Sequence, residues 1–438
     1  MLAACGGGSV APGQRPSNAP PTAINRPSTV STQPGPFSGP LSIPPPPRPS
    51  GPILPSAPPV PQPAPSIVPS APAIPPAAAP GPRLTQPAAP KLARVALIAP
   101  LTGRAPAVGR DLLDAAQLAL FDIADERFEL IVKDDGGTPE GATRAATQAL
   151  AEGAQLLLGP LFRESVVAVA PVARARNVQV VAFSNDRSVA GDGVFILGFT
   201  PDGQIERVVR HAAGVGIKGF AAIVPDNAFG TAVMSSLDRA ATQTGGQLTR
   251  RQTLADGADI AGDMRRAMMR ILEQGPGGRS FQALVLPEGG PRLKAAAQQL
   301  VASGVQSSEL RILGTREWQE PDSCREAALQ GAWFASSPPE TVDAFLQRFA
   351  ATYRRTPPRL ATLAYDAVAL AAVLARDPKG PDFSAETIGS PNGFAGTAGI
   401  FRFGPDGVAQ RGLAVFEALR TGCVIVSPAP DSFEDATN

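Results

Sequence analysis

The sequence is poor in histidine, cysteine and aromatic residues. Its 438 residues include one histidine, three cysteines, two tryptophans and two tyrosines. A single histidine, His211, leaves little basis for a zinc site or a Ser–His–Asp triad, and no nucleophile-elbow sequence accompanies it. The formal net charge of +1 gives no basic field for nucleic acid. We therefore predict a protein that is not an enzyme, uses no metal or cofactor, and does not bind nucleic acid.

Long apolar runs are also missing, so the sequence predicts no transmembrane helix. The first 90 residues lack Asp, Glu and Lys and contain 28 of the 49 prolines. Proline removes backbone donors, and the apolar residues in this segment show no periodicity. Residues 6–90 are therefore predicted to be a disordered, proline-rich linker.

The N-terminal segment Leu2-Ala3-Ala4-Cys5-Gly6 resembles the lipobox of bacterial lipoproteins, in which cleavage exposes a cysteine for lipidation. A charged and an apolar stretch normally precede a lipobox, and neither precedes this one. Either the true start lies upstream of Met1 or the match is chance. Because the linker follows directly, we favour Cys5 as a lipidation site and residues 1–5 as a truncated signal.

The other two cysteines, Cys324 and Cys423, lie far from Cys5 in the sequence. In an exported protein they are free to form a disulfide. The alternative, which the sequence leaves equally open, is a pair of buried thiols.

Order is predicted from Lys91 onward. The apolar run from Val95 to Pro100 has the length and composition of a strand buried on both faces. An amphipathic helical pattern follows, and strand and helix patterns then alternate in two series, the second starting near Thr200. This alternation predicts an α/β protein with two lobes, each built on a doubly wound parallel sheet. Near the C-terminus, 399–403 and 413–416 flank an Asp-Gly turn and predict a hairpin.

At this level of detail the chain resembles the type I periplasmic binding proteins of the leucine/isoleucine/valine kind. The resemblance covers residues 93 to 425 and implies a ligand cleft between two lobes joined by three crossovers. It places 91–199 and 338–382 in lobe 1, and 200–337 and 383–438 in lobe 2. The stretches that carry the resemblance are Val95–Gly103, Val132–Pro139, Ala151–Pro160, Pro225–Gly230 and Thr397–Val408.

Two stretches, Leu158–Ser165 and Phe195–Pro201, resemble more closely the lipoprotein activators of penicillin-binding proteins. That resemblance implies a periplasmic regulator of peptidoglycan synthases. We expect a lipid to anchor it, and we favour the outer membrane as the membrane that holds the anchor. The helical-repeat domain that some activators carry is replaced here by the proline-rich linker. The alternative function is the solute-binding subunit of an ABC importer for branched-chain or other amino acids, whose partner would be a permease.

Ligands of such folds bind at the carboxyl ends of the parallel strands. The candidate ligand-binding residues in these loops are Thr102, Ser165, Ser184, Asn185, Phe229, Glu288 and Glu317.

Ser165 begins a predicted helix, where free N–H groups and a hydroxyl suit a carboxylate such as that of an amino-acid-like ligand. Amino-acid binders have small hydroxyl residues in this loop. Here Phe162 and Arg163 are bulky, so only Ser165 matches the family's ligand-binding residues. Phe229 lacks the hydroxyl of the tyrosine expected there, and Glu317 lies near the acid expected for an ammonium group. Helix capping explains the serines equally well, and the glutamates also suit an ordinary solvated surface.

Overall fold

A computed structural model describes residues 92–255, 257, 259–273, 280–305, 309–319 and 321–433. Cys5 and the predicted linker lie outside the described residues. The strands are β1 (Ala93–Ala99), β2 (Phe128–Asp134), β3 (Leu156–Leu158), β4 (Gln179–Ala182), β5 (Val194–Ile196), β6 (Gly219–Pro225), β7 (Gln247–Leu254), β8 (Ala283–Val285), β9 (Arg311–Gly314), β10 (Trp333–Ser336), β11 (Phe394–Gly396), β12 (Gly399–Phe403), β13 (Ala409–Arg411), β14 (Ala414–Leu419) and β15 (Gly422–Ser427).

The α-helices alternate with these strands along most of the chain. None of the helices in the described part of the chain is long and apolar enough to cross a membrane. They are α1 (Pro106–Ile123), α2 (Pro139–Ala151), α3 (Arg163–Arg174), α4 (Pro201–Gly214), α5 (Ala228–Gln243), α6 (Ile260–Leu272), α7 (Gly290–Ala302), α8 (Pro321–Arg325), α9 (Pro339–Tyr353), α10 (Thr362–Ala375) and α11 (Ala385–Ile388).

The first sheet is five-stranded and parallel, in the order β2-β1-β3-β4-β5. Alternate side chains of β1 pack on opposite faces, as the period of a strand requires. Val95 and Leu97 pack with α1 and α10, whereas Ala96 and Ile98 pack with α2 and α3. The sheet is therefore covered on both faces, which explains the continuous apolar run of β1.

The second sheet has seven strands, in the order β15-β14-β10-β9-β8-β6-β7. β6 to β10 are parallel, while β14 and β15 are antiparallel additions at one edge. Residues of α4 and α5 cover one face, and residues of α6 and α7 cover the other. The predicted α/β class with a parallel sheet in each lobe is confirmed.

The C-terminal hairpin was predicted correctly in its first strand and wrongly in its second. β12 does begin a hairpin, but its partner is β13, across the turn at Asp406-Gly407, and the two join β11 in a three-stranded sheet. The apolar segment that begins at Ala414 is β14, which instead pairs with β10 in the second sheet. Phe401 and Phe403 of β12 pack into the core of the first lobe. Residues 394–411 thus pack with the first lobe, whereas the division made from sequence assigned 383–438 to the second.

The chain passes between the two large sheets at three places. These are 197–200, between β5 and α4; 337–338, between β10 and α9; and 412–413, between β13 and β14. The boundaries implied by the resemblance are 199–200, 337–338 and 382–383, and the third crossover lies about thirty residues later in the chain than the last of these. We call these three segments the hinge.

The two cysteines of the second lobe are paired. Cys324 in α8 and Cys423 in β15 form a disulfide, with their Cα atoms 5.4 Å apart. The bond fastens the short helix α8 to the outermost strand of the second sheet.

Candidate functional site

The order of strands in each sheet defines where a ligand would be expected. In the first sheet the chain leaves β1 toward β2 and returns to β3 on the other side of β1; in the second it leaves β6 toward β7 and returns to β8. Each reversal opens a crevice at the carboxyl ends of the strands, which is the usual ligand position in open α/β sheets.

A cavity of about 690 Å³ lies at the carboxyl end of the second sheet, and we call it the outer cavity. It contains four of the seven candidate residues. Asn185 reaches it from the first lobe, after β4. The other three are Phe229 at the start of α5, Glu288 after β8 and Glu317 after β9. The remaining lining residues are Gly289, Gly290, Leu293, Lys294, Ser323, Glu326 and Leu329.

The buried indole of Trp318 holds the two glutamate loops in place. Its Nε1 donates to the main-chain oxygens of Leu286 and Glu288, at 3.1 and 3.2 Å. Its ring lies directly on Gly314, where a Cβ atom would approach ring carbons to 2.3 Å. Gly289 likewise lies against the main-chain oxygen of Glu317. These contacts fix the spacing between Glu288 and Glu317.

The outer cavity has charges of both signs. Glu288 is paired with Arg292 one helical turn later, at 2.9 Å. Glu317 and Glu326 supply further carboxylates, and Lys294 supplies an ammonium group. The main-chain N–H groups at the start of α7, where no side chain caps the helix, also favour an anionic group. This combination suits a small ligand that carries both charges.

Lys294, Ser323 and Glu326 did not follow from the sequence. Lys294 lies on an amphipathic helix whose polar face reads as ordinary surface. Ser323 lies in the short helix α8 and Glu326 directly after it, and neither follows a predicted strand. The single histidine does not line the outer cavity: His211 packs edge-on against Trp333, with ring centroids 4.6 Å apart.

The other three candidate residues do not line this cavity. The Thr102 hydroxyl donates to Asp134 Oδ2 at 2.6 Å, and the Ser184 hydroxyl accepts the main-chain N–H of Asp186 at 3.1 Å. Ser165 is fully buried, and its hydroxyl has no hydrogen-bond partner among the described residues. Thr102 thus joins its loop to the end of β2, Ser184 stabilises its own loop, and Ser165 lies beneath the surface.

Bulky side chains stand at the start of α3, above Ser165. Phe162 precedes the helix, and the guanidinium of Arg104 lies over its ring at 3.9 Å from the centroid. Arg104 is also ion-paired with Glu164 at 3.1 Å, and Arg163 is paired with Asp186 at 2.8 Å. We call Arg104, Phe162 and Glu164 the α3 cap. Both its charged groups are satisfied within the chain.

Asp135, next to the cap, is a buried carboxyl group. Its Oδ1 accepts the main-chain N–H of Gly137 at 2.8 Å, and its Oδ2 has no partner among the described residues. Burial raises the pKa of Asp135, and the neighbouring charge of Asp134 acts in the same direction. By contrast, hydrogen bonds from Thr102 and nearby main-chain N–H groups outweigh desolvation and lower the pKa of Asp134.

Comparison with known families gives one match over most of the chain. The model of a family described as "Periplasmic binding protein" matches residues 93–422. Among curated proteins, the uncharacterized protein RP748 of Rickettsia prowazekii is 22% identical over 162 residues. That alignment covers 37% of this chain and 43% of the relative, so the chain spans less than half of that protein's length.

Solved structures of solute-binding proteins have the same fold. A putative branched-chain amino acid ABC transporter protein from Rhodospirillum rubrum is 19% identical, covering 76% of this chain and 100% of its own, with a TM-score of 0.62. The leucine-binding protein LivK of Thermotoga maritima is 20% identical, covering 78% and 99%, with a TM-score of 0.56. A solute-binding protein from Rhodopseudomonas palustris BisB5, in complex with 3,4-dihydroxybenzoic acid, is 17% identical, covering 79% and 99%, with a TM-score of 0.58.

Proposed function

The chain belongs to the periplasmic binding protein family, and we propose that within this family it is a non-enzymatic regulator of peptidoglycan synthesis by penicillin-binding proteins. The observation that carries this proposal is the α3 cap. In amino-acid binders the loop before α3 presents small hydroxyl residues to the ligand, whereas here Phe162 and Arg104 cover the helix start and Ser165 is buried. With Ser165 buried, the first lobe lacks the exposed hydroxyl that an amino-acid carboxylate would contact, which favours a role other than amino-acid capture.

The N-terminal region supports the same role. A lipidated Cys5 followed by a long proline-rich linker would let an anchored protein reach a synthase in the opposite membrane, because proline-rich chains stay extended. Mass spectrometry of the mature N-terminus tests the anchor. We expect a diacylated or triacylated cysteine, and release of the Cys5→Ser variant from the membrane fraction; a membrane-bound Cys5→Ser variant would contradict the anchor.

The regulatory role is tested with the full chain and a purified bifunctional penicillin-binding protein. We expect saturable binding in a surface-immobilisation assay and a change in the rate of glycan-strand polymerisation from lipid-linked precursor. The leucine-binding protein LivK of Thermotoga maritima, which shares the fold, is the control and should do neither. Absence of both binding and rate change with each bifunctional synthase of the host would overturn the proposal.

The outer cavity supports a second candidate function, that of a solute-binding subunit for an ABC importer. Its charges of both signs beside Phe229 and Leu293 suit a zwitterionic, amino-acid-like ligand. Calorimetry against a panel of amino acids tests this function, with micromolar affinity as the supporting result. Glu317→Gln should abolish such binding, and Glu206→Gln, which changes an exposed carboxylate on α4, should leave it intact. An unresponsive panel excludes this candidate without affecting the first.

A further inference from the structure

Three arginines meet at the hinge, where the three crossovers come together. Arg316 follows β9, Arg359 precedes α10, and Arg411 ends β13. Two of them contact the ring of Phe199, which lies in the first crossover. The guanidinium carbons of Arg316 and Arg411 are 3.9 and 4.5 Å from the centroid of that ring. We call Arg316, Arg359 and Arg411 the hinge arginines.

The guanidinium groups are only partly satisfied by the protein. Arg411 donates from Nη2 to the main-chain oxygen of Leu197 at 2.7 Å. Its Nε and Nη1 atoms are buried and have no hydrogen-bond partner among the described residues, and the same holds for Nη1 of Arg359. A buried N–H without a partner is costly, and more so on a charged group.

The positive charge at the hinge is also poorly balanced. The negative charge that acts on Arg411 is that of Asp366, a buried carboxylate on α10. Its Oδ1 accepts hydrogen bonds from the main-chain N–H and the hydroxyl of Thr397, at 2.7 and 2.8 Å. Its Oδ2 has no hydrogen-bond partner among the described residues. Three guanidinium groups are thus offset by one buried carboxylate, Asp366, which acts on Arg411, and one exposed carboxylate, Glu317, which acts on Arg316.

The electrostatics of these groups follow from burial. Desolvation lowers the pKa of Arg411 to about 10, with the charge of Arg316 adding to the effect and Asp366 opposing it. Desolvation likewise lowers the pKa of Arg316; the charge of neighbouring Glu317 opposes this shift, and the charge of Arg359 adds to it. The cluster would be stabilised by one further negative charge.

A small cavity between the crossovers has room for that charge. It measures about 20 Å³ and is lined by Arg411 and Arg316 together with Thr200, Gln204 and Ser337. A cavity needs roughly 10–15 Å³ to hold one water-sized particle. A second cavity beside Arg359, of about 10 Å³, is at that limit. The first has room for a monoatomic ion.

From the unpartnered guanidinium N–H groups, the excess positive charge and the size of the cavity, we propose that the hinge binds a single small monovalent anion, such as chloride, between Arg411 and Arg316. Donor groups around such an ion are preorganised, because Phe199, Leu197 and Gln204 already hold the two arginines. The bound ion would join the crossovers 197–200 and 412–413, so that the ionic composition of the medium affects the stability of the hinge.

The test is thermal unfolding of the full chain at constant ionic strength, with chloride replacing gluconate, a much larger organic anion. A ligand that binds only the folded state raises the unfolding midpoint in a saturable way, and constant ionic strength removes general screening. We expect a rise of a few degrees that saturates, and a similar rise with bromide. A midpoint that does not change with chloride would mean that water alone fills the cavity, and would overturn the proposal.

The variant Arg411→Met locates the site. Methionine retains the apolar stem without the N–H groups, so the chloride dependence should be lost. Arg210→Met, at an exposed position on α4, should retain it. Should Arg411→Met fail to fold, chloride-35 NMR on the unaltered chain decides: excess line broadening that bromide removes supports the site, and its absence refutes it. A chloride dependence that persists unchanged in a folded Arg411→Met variant also refutes it.

Discussion

The ring of Phe162 lies 3.9 Å beneath the guanidinium carbon of Arg104, directly before the first turn of α3. Because this pair covers the helix start at which an amino-acid carboxylate would be expected, we predict that leucine, isoleucine and valine do not bind there. Differential scanning fluorimetry of the Glu317→Gln variant, in which binding in the outer cavity is removed, should show an unchanged unfolding midpoint in the presence of each. LivK of Thermotoga maritima, titled a leucine-binding protein, is the positive control; a midpoint that rises with leucine in both proteins would contradict the prediction.

Loss of the disulfide should destabilise the second lobe strongly. The bond between Cys324 and Cys423 closes a loop with a sequence separation of 99. Loop-closure entropy then predicts a loss of about 4–5 kcal/mol of unfolding free energy when the bond is reduced. Urea unfolding with and without a reductant measures it. The double variant Cys324→Ala with Cys423→Ala should be insensitive to reductant, and an oxidised protein no more stable than the reduced one would refute the expectation.

Trp318 should be important for the shape of the outer cavity. In the variant Trp318→Phe the main-chain oxygens of Leu286 and Glu288 lose their indole donor, and ring volume over Gly314 is removed. We expect a loss of about 1–3 kcal/mol in unfolding free energy. Trp333→Phe is a matched control, because its indole donates to the partly exposed carboxylate of Glu417 at 3.3 Å, which water can replace. Equal losses in both variants would contradict the role assigned to Trp318.

Asp135 should make stability depend on pH. Because burial raises its pKa, the folded state holds the proton more tightly than the unfolded state. Its contribution is favourable at low pH and is lost as the pH rises from its unfolded pKa of about 3.9 through the raised value. The variant Asp135→Asn retains the acceptor for Gly137 but not the charge. Its stability relative to the unaltered chain should therefore improve between about pH 4 and pH 7.

Urea unfolding at a series of pH values measures this difference. Asp192→Asn, a change at an 86% exposed side chain, should show a much flatter difference across the same range. A difference for Asp135→Asn that falls as the pH rises would mean that the carboxylate is stabilised in the folded state, contrary to its burial.

The sequence predicted the two parallel sheets because their strands are buried on both faces and read as apolar runs, such as Val95 to Ala99. It failed at β13, since the three residues Ala409–Arg411 have no apolar alternation to mark a strand. The apolar segment 413–416 was therefore predicted to be the hairpin partner of β12. Only the tertiary pairing of β14 with β10 moves it to the other sheet.

The loops at the carboxyl ends of the strands could also be predicted, and four candidate residues do meet in the outer cavity: Asn185, Phe229, Glu288 and Glu317. The burial of Ser165 could not, because a serine in the first turn of a helix is ordinarily a cap or a surface group. The hinge arginines were missed for a related reason. Arginine is a surface residue by default, and nothing in the local sequence of Arg316 or Arg411 shows that three crossovers converge on it.

The covalent bond between Cys324 and Cys423 makes a closed ring of the intervening chain, and the crossovers at 337–338 and 412–413 both lie within it. A protease that cuts once anywhere in that ring therefore yields two fragments that stay linked until the bond is reduced. Of the three crossovers, the one at 197–200 lies outside the ring. A single cut there yields an N-terminal fragment with no covalent link to the rest of the chain, so that packing alone keeps the two together.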